Sequence, residues 1–184
     1  MALGLGCLAL LGKDTIILAL LLAGCIFIYD AIHKIFAFSP VLMAGCRFLL
    51  ALTAASVARD GAGGLAPWGA LALGAYVVGV SFLAQAERSP VNLRFWPCLF
   101  LAAPVALAIV ANRGEYRLRA VALACLFTMW VLRCLRFTYW SPVRNVAHST
   151  GGLLAGIVLV DLLALAGVPG GFGLVFVLLF IMAL

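Results

Sequence analysis

Thr15-Ile16-Ile17-Leu18-Ala19-Leu20-Leu21-Leu22-Ala23-Gly24-Cys25-Ile26-Phe27-Ile28-Tyr29 carries no charge between Lys13-Asp14 and Asp30. At about 1.5 Å of rise per residue, a helix from Thr15 to about Ile32 crosses most of a hydrocarbon core of about 30 Å. The stretch therefore predicts a first clear membrane span, and the rest of the chain repeats its pattern. Apolar runs cover about 40–58, 67–86, 95–110, 120–135 and 149–166, each bounded by short breaks rich in charge, Gly or Pro. Val168-Pro169-Gly170-Gly171 then makes a tight turn into a last run, Phe172–Leu184. Pro97 and Pro104 inside one run predict a kink or break near the second of them. Met1–Leu11 is apolar but too short to span alone.

Composition agrees with the runs. The 184 residues are 67% hydrophobic and 10% charged, and the mean hydropathy is +1.25. A soluble domain is roughly half apolar and a quarter charged. With about 20 apolar residues per helical span, the length suits roughly six to eight spans and leaves no room for a separate soluble domain. The expected fold is a single all-α transmembrane domain over 1–184, a polytopic helical bundle of about seven spans.

The net charge of +6 comes from Lys and Arg residues placed singly or in small groups at the ends of apolar runs. That distribution marks topology and anion contacts, and it excludes the basic stripe of a nucleic-acid binder. Alternating sides collect Lys13, Arg59, Arg113, Arg117 and Arg119 against Lys34, Arg88, Arg94, Arg133, Arg136 and Arg144. The two sets are nearly equal, so charge bias leaves the orientation open. The six cysteines show no C-x-x-C and no metal-ligand spacing, and read as small core residues. Leu22-Ala23-Gly24-Cys25 has the form of a lipoprotein cleavage box. A second such string, Leu42-Met43-Ala44-Gly45-Cys46, follows it, and cleavage at the first would start the chain inside a hydrophobic helix.

Ionisable groups inside apolar runs need a partner, water or a ligand, because each costs roughly 2.5–3.5 kcal/mol on insertion scales. Arg47 lies about two turns into its run, and Asp161 sits in the middle of Gly152–Ala166. They read as a structural pair, as Arg47 reaching an interface, or as the lining of a polar cavity. The richest polar cluster is Tyr29-Asp30-Ala31-Ile32-His33-Lys34, a solvated helix end or the rim of an anion site. Ala84-Gln85-Ala86-Glu87-Arg88-Ser89-Pro90 forms a second rim two helices later, hence on the same side. Arg133, Arg136, Ser141–Asn145 and His148 form a third. No G-x-S-x-G, H-E-x-x-H, Walker loop or dinucleotide fingerprint is present, and no spacing assigns a catalytic residue. A small transporter would show internal inverted repeats, and none is visible.

Ile28-Tyr29-Asp30-Ala31-Ile32-His33-Lys34 followed by Ser39-Pro40-Val41-Leu42-Met43-Ala44-Gly45-Cys46-Arg47-Phe48-Leu49 resembles the middle of the UbiA superfamily of intramembrane prenyltransferases. Ala75–Ala84 is similar to the helix leading into that family's second acidic motif, and Pro142–Val146 through Asp161 to its late helices. The resemblance covers most of the chain in order. It implies transfer of a prenyl group from a prenyl diphosphate to a lipophilic acceptor in a multi-pass protein of a bacterial inner membrane. It also implies Mg²⁺ held by two aspartate-rich motifs. Tyr29, Lys34, Arg47 and Arg88 would then lie on the diphosphate side.

This chain departs from the family pattern at both motifs. The N-D-x-x-D-x-x-x-D of the first would precede residue 1, and the second falls on Gln85–Ser89, leaving Glu87 as the one candidate metal ligand. The first helices of the family bundle are accordingly expected to be missing, with Met1–Leu11 the stump of a longer one. Non-catalytic binding or transport of a hydrophobic metabolite is the alternative expectation.

Overall fold

The computed structural model describes residues 10–32, 39–57, 63–88, 95–112, 117–140 and 145–164, together with 4, 6 and 8; for 86–88 it describes the backbone alone. Among the described residues there is no strand. In chain order the helices are α1 (Lys13–Ile32), α2 (Ser39–Ser56), α3 (Ala66–Arg88), α4 (Trp96–Leu101), α5 (Ala103–Ala111), α6 (Arg117–Tyr139), α7 (Val146–Ala155) and α8 (Ile157–Ala164).

Proline sets where several of them begin. Pro40, Pro67, Pro97 and Pro104 are the second residues of α2, α3, α4 and α5. A first-turn N–H has no intrahelical acceptor, so proline's missing donor costs nothing there. The same chemistry interrupts the run 95–110. Pro104 cannot donate to the carbonyl of Phe100, and the chain takes a tight turn at Ala102, whose N–H bonds Leu99 O at 3.2 Å. The break thus falls where the proline spacing places it.

A milder turn at Gly156 separates α7 from α8. There Gly156 N–H bonds Gly152 O at 3.1 Å and Val160 N–H bonds Gly156 O at 3.2 Å. The ladder carries through, and Val146–Ala164 acts as one span of 19 residues.

Among the described residues, five helical segments are long and apolar enough to cross a membrane: Lys13–Ile32, Ser39–Ser56, Ala66–Gln85, Arg117–Tyr139 and Val146–Ala164. Trp96–Ala111 is a shorter apolar segment. Of the remaining expected runs, Phe172–Leu184 and most of Met1–Leu11 lie outside the described residues. Burial follows the logic of a lipid solvent. α1 buries Thr15 and Ala19 while exposing Ile17, Leu20, Leu21, Phe27 and Ile28. An apolar surface of that extent is intolerable in water and ordinary against acyl chains.

The chain divides into two compact units, Met1–Val78 and Gly79–Leu184. In the first, α1 and α2 form an antiparallel hairpin. Ser56 Oγ donates to Thr15 Oγ1 at 3.0 Å near the open end, and Cys46 Sγ meets Cys25 Sγ at 3.4 Å farther along. The ten-residue step from Thr15 to Cys25 is matched by the ten-residue step from Ser56 back to Cys46, so the two helices keep one register. Gly74 of α3 sits against α2, where an added Cβ would be 3.7 Å from both Ala44 O and Phe48 Cβ.

In the second unit, α6 packs against α5, α7 and α8 around Phe127, Leu153 and Leu162. Among the described residues, no buried side-chain oxygen or nitrogen lacks a hydrogen-bond partner, as a lipid-embedded helix requires. Thr138 Oγ1 donates to Ser149 Oγ at 2.6 Å, and Ser149 Oγ donates to Cys134 O at 2.7 Å. Trp130 Nε1 donates to Gly152 O at 2.9 Å. Two contacts need the absence of a side chain. A Cβ on Gly79 would lie 2.8 Å from Pro97 O, and one on Gly152 would lie 2.6 Å from Cys134 Sγ.

Candidate functional site

The α1–α2 hairpin carries three of the residues singled out from the sequence. Tyr29 is half-buried and Asp30 exposed in the last turn of α1, and both make interactions within the structure. Arg47 is exposed on α2, eight residues from Ser39, which is about 12 Å of helical rise below the closed end of the hairpin. Arg47 thus lies on α2 about two turns from the end that faces Tyr29 and Asp30. Lys34, like His33, lies outside the described residues, as do the side chains of Glu87 and Arg88 at the end of α3. The structure therefore places Tyr29 and Arg47 in one hairpin and leaves the grouping of Lys34, Glu87 and Arg88 undescribed.

Asp161 is exposed on α8 and makes interactions of its own. It belongs to the second unit and Arg47 to the first.

The third polar rim is held by several hydrogen bonds and ring contacts. Asn145 caps α7, its Oδ1 accepting from His148 N–H at 2.9 Å, and its own N–H donates to Phe137 O at 3.1 Å. The His148 ring stands edge-on to Phe137 at 4.7 Å. Arg133 and Arg136 are exposed on α6 one turn away, while Ser141–Arg144 lie outside the described residues.

Aromatic side chains gather beside this rim, a feature that the sequence reading did not single out. Phe95 stacks on Tyr139 at 4.8 Å, and Tyr139 meets Trp140 edge-on at 6.1 Å. Trp96 sits edge-on to Phe82 at 4.6 Å and to Phe100 at 5.8 Å. Such rings suit the boundary between hydrocarbon and headgroups. The available signal was the aromatic density of Phe95-Trp96 and Phe137-Thr138-Tyr139-Trp140 at run ends.

The cysteines divide. Cys134 is buried and Cys25, Cys46 and Cys98 are half-buried, whereas Cys125 is exposed. Cys125 therefore departs from the expectation of core residues: on α6 its side chain faces outward, where a small apolar thiol is tolerated by lipid. Cys98 lies 3.7 Å from the hydroxyl of Tyr139.

The implied Mg²⁺ finds no matching donor set among the described residues. No three His, Cys, Asp or Glu side chains converge there, whereas a metal pair gripping a diphosphate draws on several carboxylate oxygens.

What the fold and the helix lengths define is a polytopic, all-helical chain of the membrane-spanning class. No protein family, curated protein or solved structure matches it.

Proposed function

We propose that this chain is a UbiA-like membrane prenyltransferase homologue of a bacterial inner membrane, which engages a prenyl diphosphate at the closed end of the α1–α2 hairpin and passes the prenyl group to a lipophilic acceptor. The observation that carries the reading is the hairpin register. It sets a cationic residue, Arg47, on α2 in the same hairpin as Tyr29 and Asp30, about two turns from the end that they occupy. A lipid-soluble diphosphate has an apolar tail that dissolves among the helices and an anionic head that needs cations near the interface. Arg47 and Lys34 supply charge of that kind, Arg88 is a further candidate, and Tyr29 offers a hydroxyl. In transfer, the bond from the prenyl C1 to the diphosphate oxygen breaks, a bond from C1 to the acceptor forms, and the acceptor gives up the proton of the C–H or O–H bond it replaces. These cations offset the charge that accumulates on the departing diphosphate.

A second reading, non-catalytic binding or transport of a hydrophobic metabolite, draws on the lack of a converging carboxylate set among the described residues. Within the stretch that matches the second acidic motif, Gln85–Ser89, Glu87 is the one acid.

One experiment separates the two. The full chain in lipid is incubated with Mg²⁺ and radiolabelled prenyl diphosphates, and both bound label and released diphosphate are measured. Catalysis predicts release that falls in Lys34→Ala and Arg47→Ala. Saturable binding without release supports the second reading. Binding unchanged in both variants refutes the site.

A further inference from the structure

The α1–α2 hairpin contains a second chemical feature that the prenyl-diphosphate reading does not use. Cys46 Sγ lies 3.4 Å from Cys25 Sγ, and both residues are half-buried free thiols. Cys25 Sγ also lies 3.8 Å from Leu42 O, and a Cβ on Gly45 would stand 3.7 Å from the same sulfur. The sulfur of α1 thus rests over one turn of α2, against a residue small enough to let it approach. A disulfide needs about 2.05 Å between sulfurs, so closure asks for a further approach of about 1.4 Å.

Among the described residues, the approach to Cys25 is apolar. An open apolar groove on α1 is lined by Ile17, Leu20, Leu21, Gly24, Cys25 and Ile28. Gly24 forms its floor, and a Cβ there would meet nothing within 4 Å. Charged oxidants are excluded from such a surface by the cost of entering hydrocarbon. A neutral oxidant dissolved in the bilayer is not.

We propose that Cys25 and Cys46 form a redox-active dithiol site whose oxidant is a lipid-soluble quinone reaching Cys25 through the groove at Gly24. In the reaction both S–H bonds break and one S–S bond forms. Two electrons and two protons pass to the quinone, which leaves as the quinol. The product is a covalent staple between α1 and α2, one residue before Arg47.

The test uses the full chain in phosphatidylcholine vesicles, under argon, with a short-chain alkyl benzoquinone. Quinol is followed by absorbance, and linked peptides are mapped after alkylation of remaining thiols. The expected result is one quinone reduced per chain and a dominant Cys25–Cys46 peptide, absent from Cys25→Ala and Cys46→Ala and retained in Cys98→Ala. Oxidised glutathione, which does not enter the bilayer, should react slower by on the order of tenfold or more. Gly24→Leu should slow the quinone reaction while copper–phenanthroline still links the pair, which shows the hairpin intact. Thiol–quinone adducts without a linked peptide, another cysteine pair linked in equal yield, or a quinone rate unaffected by Gly24→Leu would each overturn the proposal.

Discussion

Replacing Gly152 by alanine tests the packing of α6 on α7 at one atom. The new Cβ would sit 2.6 Å from Cys134 Sγ, closer by about 0.8 Å than the tightest ordinary carbon–sulfur approach in a well-packed interior. Neither side yields easily. Cys134 is 7% exposed, its carbonyl is held by Ser149, and Gly152 O is held by Trp130 Nε1. Overpacking of this kind costs about 1–3 kcal/mol, and the better helix propensity of alanine returns about 0.5–1 kcal/mol. The net expectation is a loss of about 1–2 kcal/mol.

The neighbouring glycine is the internal control. A Cβ on Gly151 would meet nothing within 4 Å, so Gly151→Ala should be neutral or stabilising by up to about 1 kcal/mol. Adjacent residues of one helix then move in opposite directions under the same substitution. Adding Cys134→Ala removes the obstructing sulfur and leaves the Cys134 Cβ 3.7 Å from the new methyl. The double variant should therefore recover most of what Gly152→Ala loses, with a coupling of about 1–2 kcal/mol. Reversible unfolding in mixed micelles, followed by tryptophan fluorescence, reads all five proteins: the wild type, Gly151→Ala, Gly152→Ala, Cys134→Ala and the double variant. A Gly152→Ala protein as stable as Gly151→Ala, or a double variant that is simply additive, would refute the contact.

Gly79→Ala should destabilise the second unit by about 1–3 kcal/mol, because the obstacle is the Pro97 carbonyl and no side-chain truncation relieves it; the same unfolding assay checks this. Thr138→Val removes the donor to Ser149 Oγ and should cost about 0.5–2 kcal/mol. Ser149→Ala should cost more, since it leaves both Thr138 and the Cys134 carbonyl without that partner. Arg47→Ala should weaken binding of a radiolabelled prenyl diphosphate by roughly tenfold or more, and Arg47→Lys by less, with equilibrium filtration in lipid as the measurement. Equal binding by all three proteins would remove Arg47 from the proposed site.

The helices themselves were legible in the residues. Length of apolar run, proline in the first turn and charge at the breaks are local properties, and they placed the starts of α2 and α3 and the interruption at Ala102. The turn at Gly156 was not anticipated, because glycine within an apolar run permits a helix to continue as readily as to tighten. The candidate site was legible only as residue types at run ends. Tyr29 and Arg47 fall in one hairpin, while Lys34, Glu87 and Arg88, read as parts of polar rims and given a site role by resemblance, have side chains outside the described residues.

What no local pattern carried is the rotation of each helix about its axis. In water an apolar stripe reveals the buried face, but in lipid the outer face is as apolar as the inner one, and the stripe disappears. Only the packed structure decides that Cys25 meets Cys46 while Cys125 faces outward. The same holds for Gly152, which must lack a side chain, and for Gly151, which need not. The sequence by itself determined which segments are helical and long enough to cross a membrane. The tertiary structure decided which of their faces meet, because that depends on contacts between residues far apart in the chain.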